Sequence, residues 1–214
     1  MNLLGPAQIR ALAEKLDLKP TKKLGQNFVI DANICRKIVK LAQVNDSDIA
    51  LEIGPGLGSL TLALLEQANQ VVAVEIDTRL ANQLPLTVTE QGFSNEKLIV
   101  LNEDAMMLKY LDIKPTVLVA NLPYNISVPV LLNILEYFPS ITRGVVMVQT
   151  EVAERLAALP DNKQYGAPTV KANWWSTLDL SASVSRSVFW PVPNVDSSLV
   201  RFDRHPPLAD EVHR

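Results

Sequence analysis

Three of the chain's eight glycines fall within five positions, in Glu52-Ile53-Gly54-Pro55-Gly56-Leu57-Gly58. Glycine at this density makes a tight turn and lets backbone N–H groups approach a ligand closely. The dinucleotide fingerprint G-x-G-x-x-G would put its third glycine at position 59, which is Ser59. The G-x-G-x-G spacing favours a loop around a small zwitterion over one cradling pyrophosphate, with an ordinary Gly-rich turn as the bland alternative. Glu75, 21 residues past Gly54, closes the run Ala73-Val74-Glu75-Ile76-Asp77, where an acid can accept from both hydroxyls of a ribose. Asp104 follows the next apolar run in Asn102-Glu103-Asp104-Ala105 and could accept from an adenine amino group. Either acid alone reads as a surface residue at a strand terminus. Together with the glycine loop they point to an adenosine-bearing cofactor. A fourth run ends Val119-Ala120-Asn121-Leu122-Pro123-Tyr124. The Asn121 side-chain carbonyl and the Leu122 backbone carbonyl can both accept from an exocyclic amine. Pro123 stiffens the turn, and the Tyr124 ring offers a face on which a planar base can stack.

Residues so spaced need a scaffold that brings successive strand ends together. Ile49–Ile53, Val71–Ile76, Leu98–Leu101, Thr116–Ala120 and Val145–Gln149 are apolar runs of strand length. Leu60–Gln67, Arg79–Thr89 and Val128–Tyr137 read as the helices between them, with Pro85 expected to break or kink the second. Strand–helix alternation predicts a parallel sheet covered on both faces, with ligands at the carboxyl ends of the strands. Thr177–Ser185 and Ser197–Arg204 form a late strand pair around the loop Phe189-Trp190-Pro191-Val192-Pro193, so at least one late strand should run antiparallel. A basic amphipathic helix around Ala7–Leu16 and a second starting at Asp31, a plausible N-cap, precede all of this. Trp174-Trp175 reads as core, and Glu151 with Arg155 as a helix-face ion pair.

Composition narrows the chemistry. The chain has 214 residues, a net charge of −3, one cysteine (Cys35) and two histidines, His205 and His213, both in the last ten positions. A disulfide framework, a Cys-rich metal cluster, a His-ligated metal and a histidine base are therefore not expected. No apolar run approaches the roughly 18 residues of a membrane helix, and the N-terminus lacks the pattern of a signal peptide. The modest acidity hides an asymmetry. Residues 1–40 carry eight basic residues against three acidic ones, whereas residues 41–135 carry four against eleven. A basic N-terminal segment on an acidic body fits a polyanionic partner, or a solvated helical face.

At this point the chain resembles the ribosomal RNA adenine dimethyltransferases. The resemblance rests on Lys22-Lys23-Leu24-Gly25-Gln26-Asn27-Phe28, the glycine loop, Ala73–Asp77, Asn121-Leu122-Pro123-Tyr124-Asn125-Ile126-Ser127, Gln149–Leu156 and Phe189-Trp190-Pro191-Val192-Pro193-Asn194-Val195-Asp196-Ser197. It spans about residues 20 to 204 and implies an α/β, Rossmann-like methyltransferase with a mostly parallel seven-stranded sheet and an antiparallel late strand. It implies S-adenosylmethionine as methyl donor and small-subunit rRNA as partner, with two adjacent adenines near the 3′ end dimethylated at N6 by a cytoplasmic monomer. By motif position, Gln26, Asn27, Val29 (through its backbone), Gly54, Gly56, Glu75, Ile76, Asp104, Ala105 and Asn121 would contact the cofactor. Asn121, Leu122, Pro123, Tyr124 and Phe189 would carry the chemistry, with Phe189 stacking the target adenine against Tyr124. Hydrogen bonds from adenine N6–H to Asn121 and the Leu122 carbonyl would localise the amine lone pair for in-line attack on the methyl group, and water would remove the surplus proton. The acids Glu52, Glu75, Asp77 and Asp104 would surround the cationic cofactor, and the basic N-terminal segment would meet RNA phosphates.

The expected organisation is a basic helical arm over 1–45, a catalytic domain over 46–204 and a linker over 205–214 toward a helical C-terminal domain. Val29, Val128 and Ala167-Pro168-Thr169 depart from the family pattern, the last removing a basic residue near the substrate face. Three rivals stand beside this reading: a large-subunit rRNA adenine methyltransferase of the antibiotic-resistance type, a non-catalytic ribosome-assembly or transcription factor on the same fold, and a nicotinamide dehydrogenase. The intact Asn121–Tyr124 motif and Phe189 speak against the second, and the glycine spacing against the third.

Overall fold

The computed structural model describes residues 2–18 and 27–206. Seven strands, in the order β4-β3-β2-β5-β6-β9-β7, form one sheet: β2 (Ile49–Ile53), β3 (Gln70–Val74), β4 (Leu98–Leu101), β5 (Val117–Asn121), β6 (Arg143–Gln149), β7 (Ser176–Val184) and β9 (Ser197–Arg204). β2 to β6 pair in parallel, and β9 runs antiparallel to both β6 and β7. This is the expected architecture. The strand order reverses between β2 and β5, so the glycine loop and Asn121 leave the sheet side by side.

The parallel part of the sheet is covered on both faces, so its central strands β2, β3 and β5 are largely apolar runs. Alternate residues then serve opposite cores. Val71, Val117, Val119, Val145 and Met147 face one cluster, packed by α1 (Pro6–Lys15), α2 (Ala32–Leu41), α3 (Ser59–Leu65) and α4 (Thr78–Glu90). Val72, Leu118, Ala120, Val146 and Val148 face the other, packed by α5 (Ser127–Tyr137), α6 (Thr150–Leu156) and α7 (Ala167–Asn173). α1 and α2 bury Ile9, Leu12, Cys35 and Ile38 in the first core. Asp31 caps α2, accepting from Asn33 N–H at 2.8 Å, and Glu151 pairs with Arg155 at 2.7 Å. Among the described residues, no helix is long and apolar enough to cross a membrane.

Three expectations need correction. Pro85 does not end α4, which continues to Glu90. A proline costs a helix interior about 3 kcal/mol, and here Leu80, Leu84 and Val88, all buried, hold the helix to the core on either side. The tryptophan pair is split. Trp175 packs on the second core with the Arg204 guanidinium 5.9 Å from its ring centroid, but Trp174 is 40% exposed. The Phe189–Pro193 loop is not a bare connection either. β8 (Phe189–Trp190) pairs antiparallel with β1 (Phe28–Val29), forming a second, two-stranded sheet.

Candidate active site

The carboxyl ends of β2, β3, β4 and β5 open on one cleft, the place where open parallel sheets bind their ligands. Asn27, Val29, Gly54, Gly56, Glu75, Ile76, Asp104, Ala105, Asn121 and Pro123 all line it. Gln26 lies outside the described residues, as do Lys22 and Lys23.

The glycine loop is shaped by backbone that other residues resist. Gly54 and Gly56 have φ of +69° and +58°, and a Cβ on Gly56 would stand 3.0 Å from the Phe28 ring. Gly54 N–H donates to the Val74 carbonyl at 2.9 Å, tying the loop to β3. Gly56 N–H donates to Glu75 Oε2 at 3.1 Å, and Asp77 N–H to Glu75 Oε1 at 2.9 Å. Each Glu75 oxygen thus holds one backbone donor and keeps capacity for another. Burial pushes the Glu75 carboxyl up, while the N–H donors from Asp77 and Gly56 pull it down. Next to it the apolar side chain of Ile76 is 57% exposed at the cleft.

Glu52 lies deeper, 1% exposed, with Thr61 Oγ1 donating to it at 2.7 Å. Burial, with a smaller contribution from the charge of Glu75, raises its carboxyl to about 8. Asp77 differs from the expectation. Its carboxylate caps α4 and pairs with Arg79 at 2.8 Å, which holds it below the usual range, and it does not line the cleft. The adjacent chain makes its charge unavailable to a ligand. Asp104 accepts from Met106 N–H through Oδ1 at 2.9 Å and turns the chain back at the cleft edge.

Asn121 is the last residue of β5, paired with Met147 of β6. Its Nδ2 donates to the Asn27 carbonyl at 3.1 Å. The amide's two ends are thereby distinguished, leaving Oδ1 as its acceptor. Leu122 buries its side chain in the second core and donates its N–H to the Met147 carbonyl at 3.1 Å. Tyr124, half-buried, shares a hydrogen bond of 2.8 Å with Ser197 Oγ, and burial raises its phenol.

Phe189 is not placed as an open stacking face. It is 1% exposed, in the first core, with its backbone paired to Val29. An aromatic ring beside apolar neighbours sinks into the core unless a ligand competes for it. The aromatic contact on this ribbon is Phe28 with Trp190, ring centroids 6.4 Å apart and 21° between planes. The basic segment is also partly spoken for. Arg36 pairs with Glu66 at 2.7 Å, and Lys15 stands 3.9 Å from Glu90.

Several residues at the site carry no local signal in the sequence. Asn102 donates to the Glu75 carbonyl at 2.8 Å and the Ile76 carbonyl at 3.3 Å, fixing the turn that presents Glu75. Ser59, the residue that interrupts the dinucleotide fingerprint, donates to the Val29 carbonyl at 2.6 Å and anchors β1 to the glycine loop. That bond uses one lone pair of the Val29 carbonyl and leaves the other, while Val29 itself lines the cleft.

The ribosomal RNA adenine dimethylase family matches residues 18–213. The ribosomal RNA small subunit methyltransferase A of Corynebacterium jeikeium is 58% identical over 96% of this chain and 67% of its own length. A dimethyladenosine transferase from Plasmodium falciparum, of known crystal structure, superposes with a TM-score of 0.74 at 32% identity, over 83% of this chain and 63% of that one. The 23S rRNA methyltransferase ErmE superposes equally well, with a TM-score of 0.75, but at 29% identity, over 87% of this chain and 73% of that one. The fold does not separate these two kinds of methyltransferase, at 32% and 29% identity; by the family match over residues 18–213 and the 58% identity to a small-subunit relative, the chain belongs to the ribosomal RNA adenine dimethylase family.

Proposed function

We propose that this chain transfers methyl groups from S-adenosylmethionine to N6 of adenine in small-subunit rRNA, dimethylating two adjacent adenines near the 3′ end. The observation that carries the reading is the Asn121 amide. Its nitrogen is committed to the Asn27 carbonyl, so an acceptor oxygen stands in the cleft. The likeness to a small-subunit enzyme at 58% identity, against 29% for the 23S enzyme, supports the choice of subunit.

The donor set of the cleft suits the cofactor. Glu75 offers two partly used carboxylate oxygens to the ribose, Ile76 an exposed apolar face to the adenine ring, and Asp104 a carboxylate to its amino group. Gly54 and Gly56 admit the methionine part close to backbone. S-adenosylmethionine supplies, when bound, a methyl group on a cationic sulfur. Asn121 Oδ1 and the Leu122 carbonyl accept from the adenine amino group, pulling the nitrogen toward tetrahedral geometry and freeing its lone pair for attack. The proton then leaves to water. Fixed acceptors and alignment supply the acceleration, and no histidine is involved. Stacking of the target base on Tyr124, about 1–3 kcal/mol, offsets a good part of the few kcal/mol needed to unstack it from RNA. Motif position assigns Phe189 to the same stack, although its ring is buried in the first core here. The basic residues of 1–45 meet the RNA backbone, and the enzyme works as a cytoplasmic monomer on immature subunits.

The test is calorimetry with S-adenosylmethionine, followed by methylation of under-methylated small subunits mapped by primer extension. Cofactor binding with stops at two adjacent small-subunit adenines is expected. Methylation confined to the large subunit, or none, would refute the proposal.

A further inference from the structure

Tyr124 sits in the turn between β5 and α5, outside any regular element, yet the tip of its side chain is held. Its hydroxyl lies 2.8 Å from Ser197 Oγ. Ser197 is fully buried at the first position of β9, in register with Gln149 of β6 and Val184 of β7. Its neighbours are pinned as well. Ser198 Oγ lies 3.0 Å from Thr150 Oγ1, and Thr150 N–H donates to the Asp196 carbonyl at 3.1 Å. The anchor is therefore part of the central sheet, while the ring it holds belongs to the loop that would receive the target base.

A tyrosine in a turn has rotamers to choose from, and selecting one costs entropy each time the ring must be presented in a defined plane. A hydrogen bond from its far end to a fixed strand removes that choice in advance. Resting on the reading of Tyr124 as the stacking face, we propose that Ser197 is a positioning residue for methyl transfer. It sets the plane of the Tyr124 ring against which the target adenine lies, and it touches neither adenine nor cofactor. Burial keeps the phenol protonated, so it remains available to donate. β9 opens on two buried hydroxyls, Ser197 and Ser198, each bonded to a different partner, and its buried residues beyond them, Leu199, Val200 and Phe202, are apolar; nothing in strand pairing requires Ser at the first position.

The experiment is single-turnover methyl transfer to small subunits by Ser197→Ala, Tyr124→Phe and the double variant, with cofactor affinity and thermal stability measured in parallel. Losing one orienting hydrogen bond should slow transfer about five- to tenfold with cofactor affinity unchanged. Tyr124→Phe should show the same loss, the double variant should be no slower than either single one, and Ser197→Thr should recover the rate. Wild-type transfer by Ser197→Ala, or losses that multiply in the double variant, would overturn the proposal. Tyr124→Ala separates the two layers. If it transfers at the wild-type rate, the stacking reading itself fails; if it is slow while Ser197→Ala is normal, only the role of Ser197 fails.

Discussion

Two buried carboxylates stand at opposite ends of the parallel strands and are held in opposite ways. Asp48, just before β2, accepts from Arg143 at 2.6 Å, Thr116 Oγ1 at 2.7 Å and Asn45 N–H at 2.8 Å. Glu75, just after β3, is held by backbone N–H groups, those of Gly56 and Asp77 foremost. Among the described residues no cationic side chain pairs with it or with Glu52. A buried charge without a partner is costly, so the amino end of the sheet is completed from within the chain. The carboxyl end keeps two acids near one another, raised by burial: Glu52 is satisfied by a proton and the Thr61 hydroxyl, whereas Glu75 at the cleft keeps acceptor capacity for a ligand. The contrast teaches where the chain is built for stability and where for a ligand.

Substitutions at the two ends should therefore fail differently. Glu75→Ala removes two charge-assisted contacts to a bound ribose and should weaken S-adenosylmethionine binding by about 100-fold, with little loss of stability, as calorimetry and a melting curve would show. Asp48→Ala leaves Arg143 partly buried without its partner and should cost about 3 kcal/mol of stability in denaturant unfolding while cofactor affinity holds. If the two variants shared one phenotype, the division between the ends would collapse.

Glu52 sharpens the comparison through pH. Its carboxyl titrates near 8 in the folded chain, against an ordinary 4.5. Between those values the folded state holds a proton that the unfolded state has lost, so stability falls as pH rises from about 4.5 to about 8. Glu52→Gln keeps an acceptor for the Thr61 hydroxyl and should flatten that decline in pH-dependent melting. An unchanged slope would remove Glu52 from the account. The smallest effect is expected at Trp174. It is 40% exposed, and Trp174→Ala should leave melting temperature and cofactor binding nearly unchanged, whereas Trp175→Ala, which strips a ring from the second core, should not.

Strand ends were the legible part of the sequence. Hydrophobic runs place Gly54, Glu75, Asp104 and Asn121 at four strand termini, and a parallel sheet brings such termini to one edge without further information. What could not be read is whatever depends on pairing between distant segments. The register of Phe28 with Trp190, and of Val29 with Phe189, joins residues far apart in the chain, and it sinks the phenylalanine that motif position assigned to the target base. The Asn27–Asn121 and Tyr124–Ser197 hydrogen bonds have the same character, linking residues 94 and 73 positions apart. Asp77 departs from the expectation for a more local reason. Counting charge near the site does not reveal that Arg79, two residues on, already neutralises it.

The most direct measurement is nucleoside analysis by mass spectrometry of under-methylated small subunits incubated with S-adenosylmethionine and either the wild-type chain or Asn121→Ala. The wild type should produce N6,N6-dimethyladenosine in the small-subunit rRNA. Asn121→Ala should produce none while still folding and still binding cofactor. Dimethyladenosine formed by Asn121→Ala at the wild-type rate would contradict the assignment of the chemistry to the end of β5.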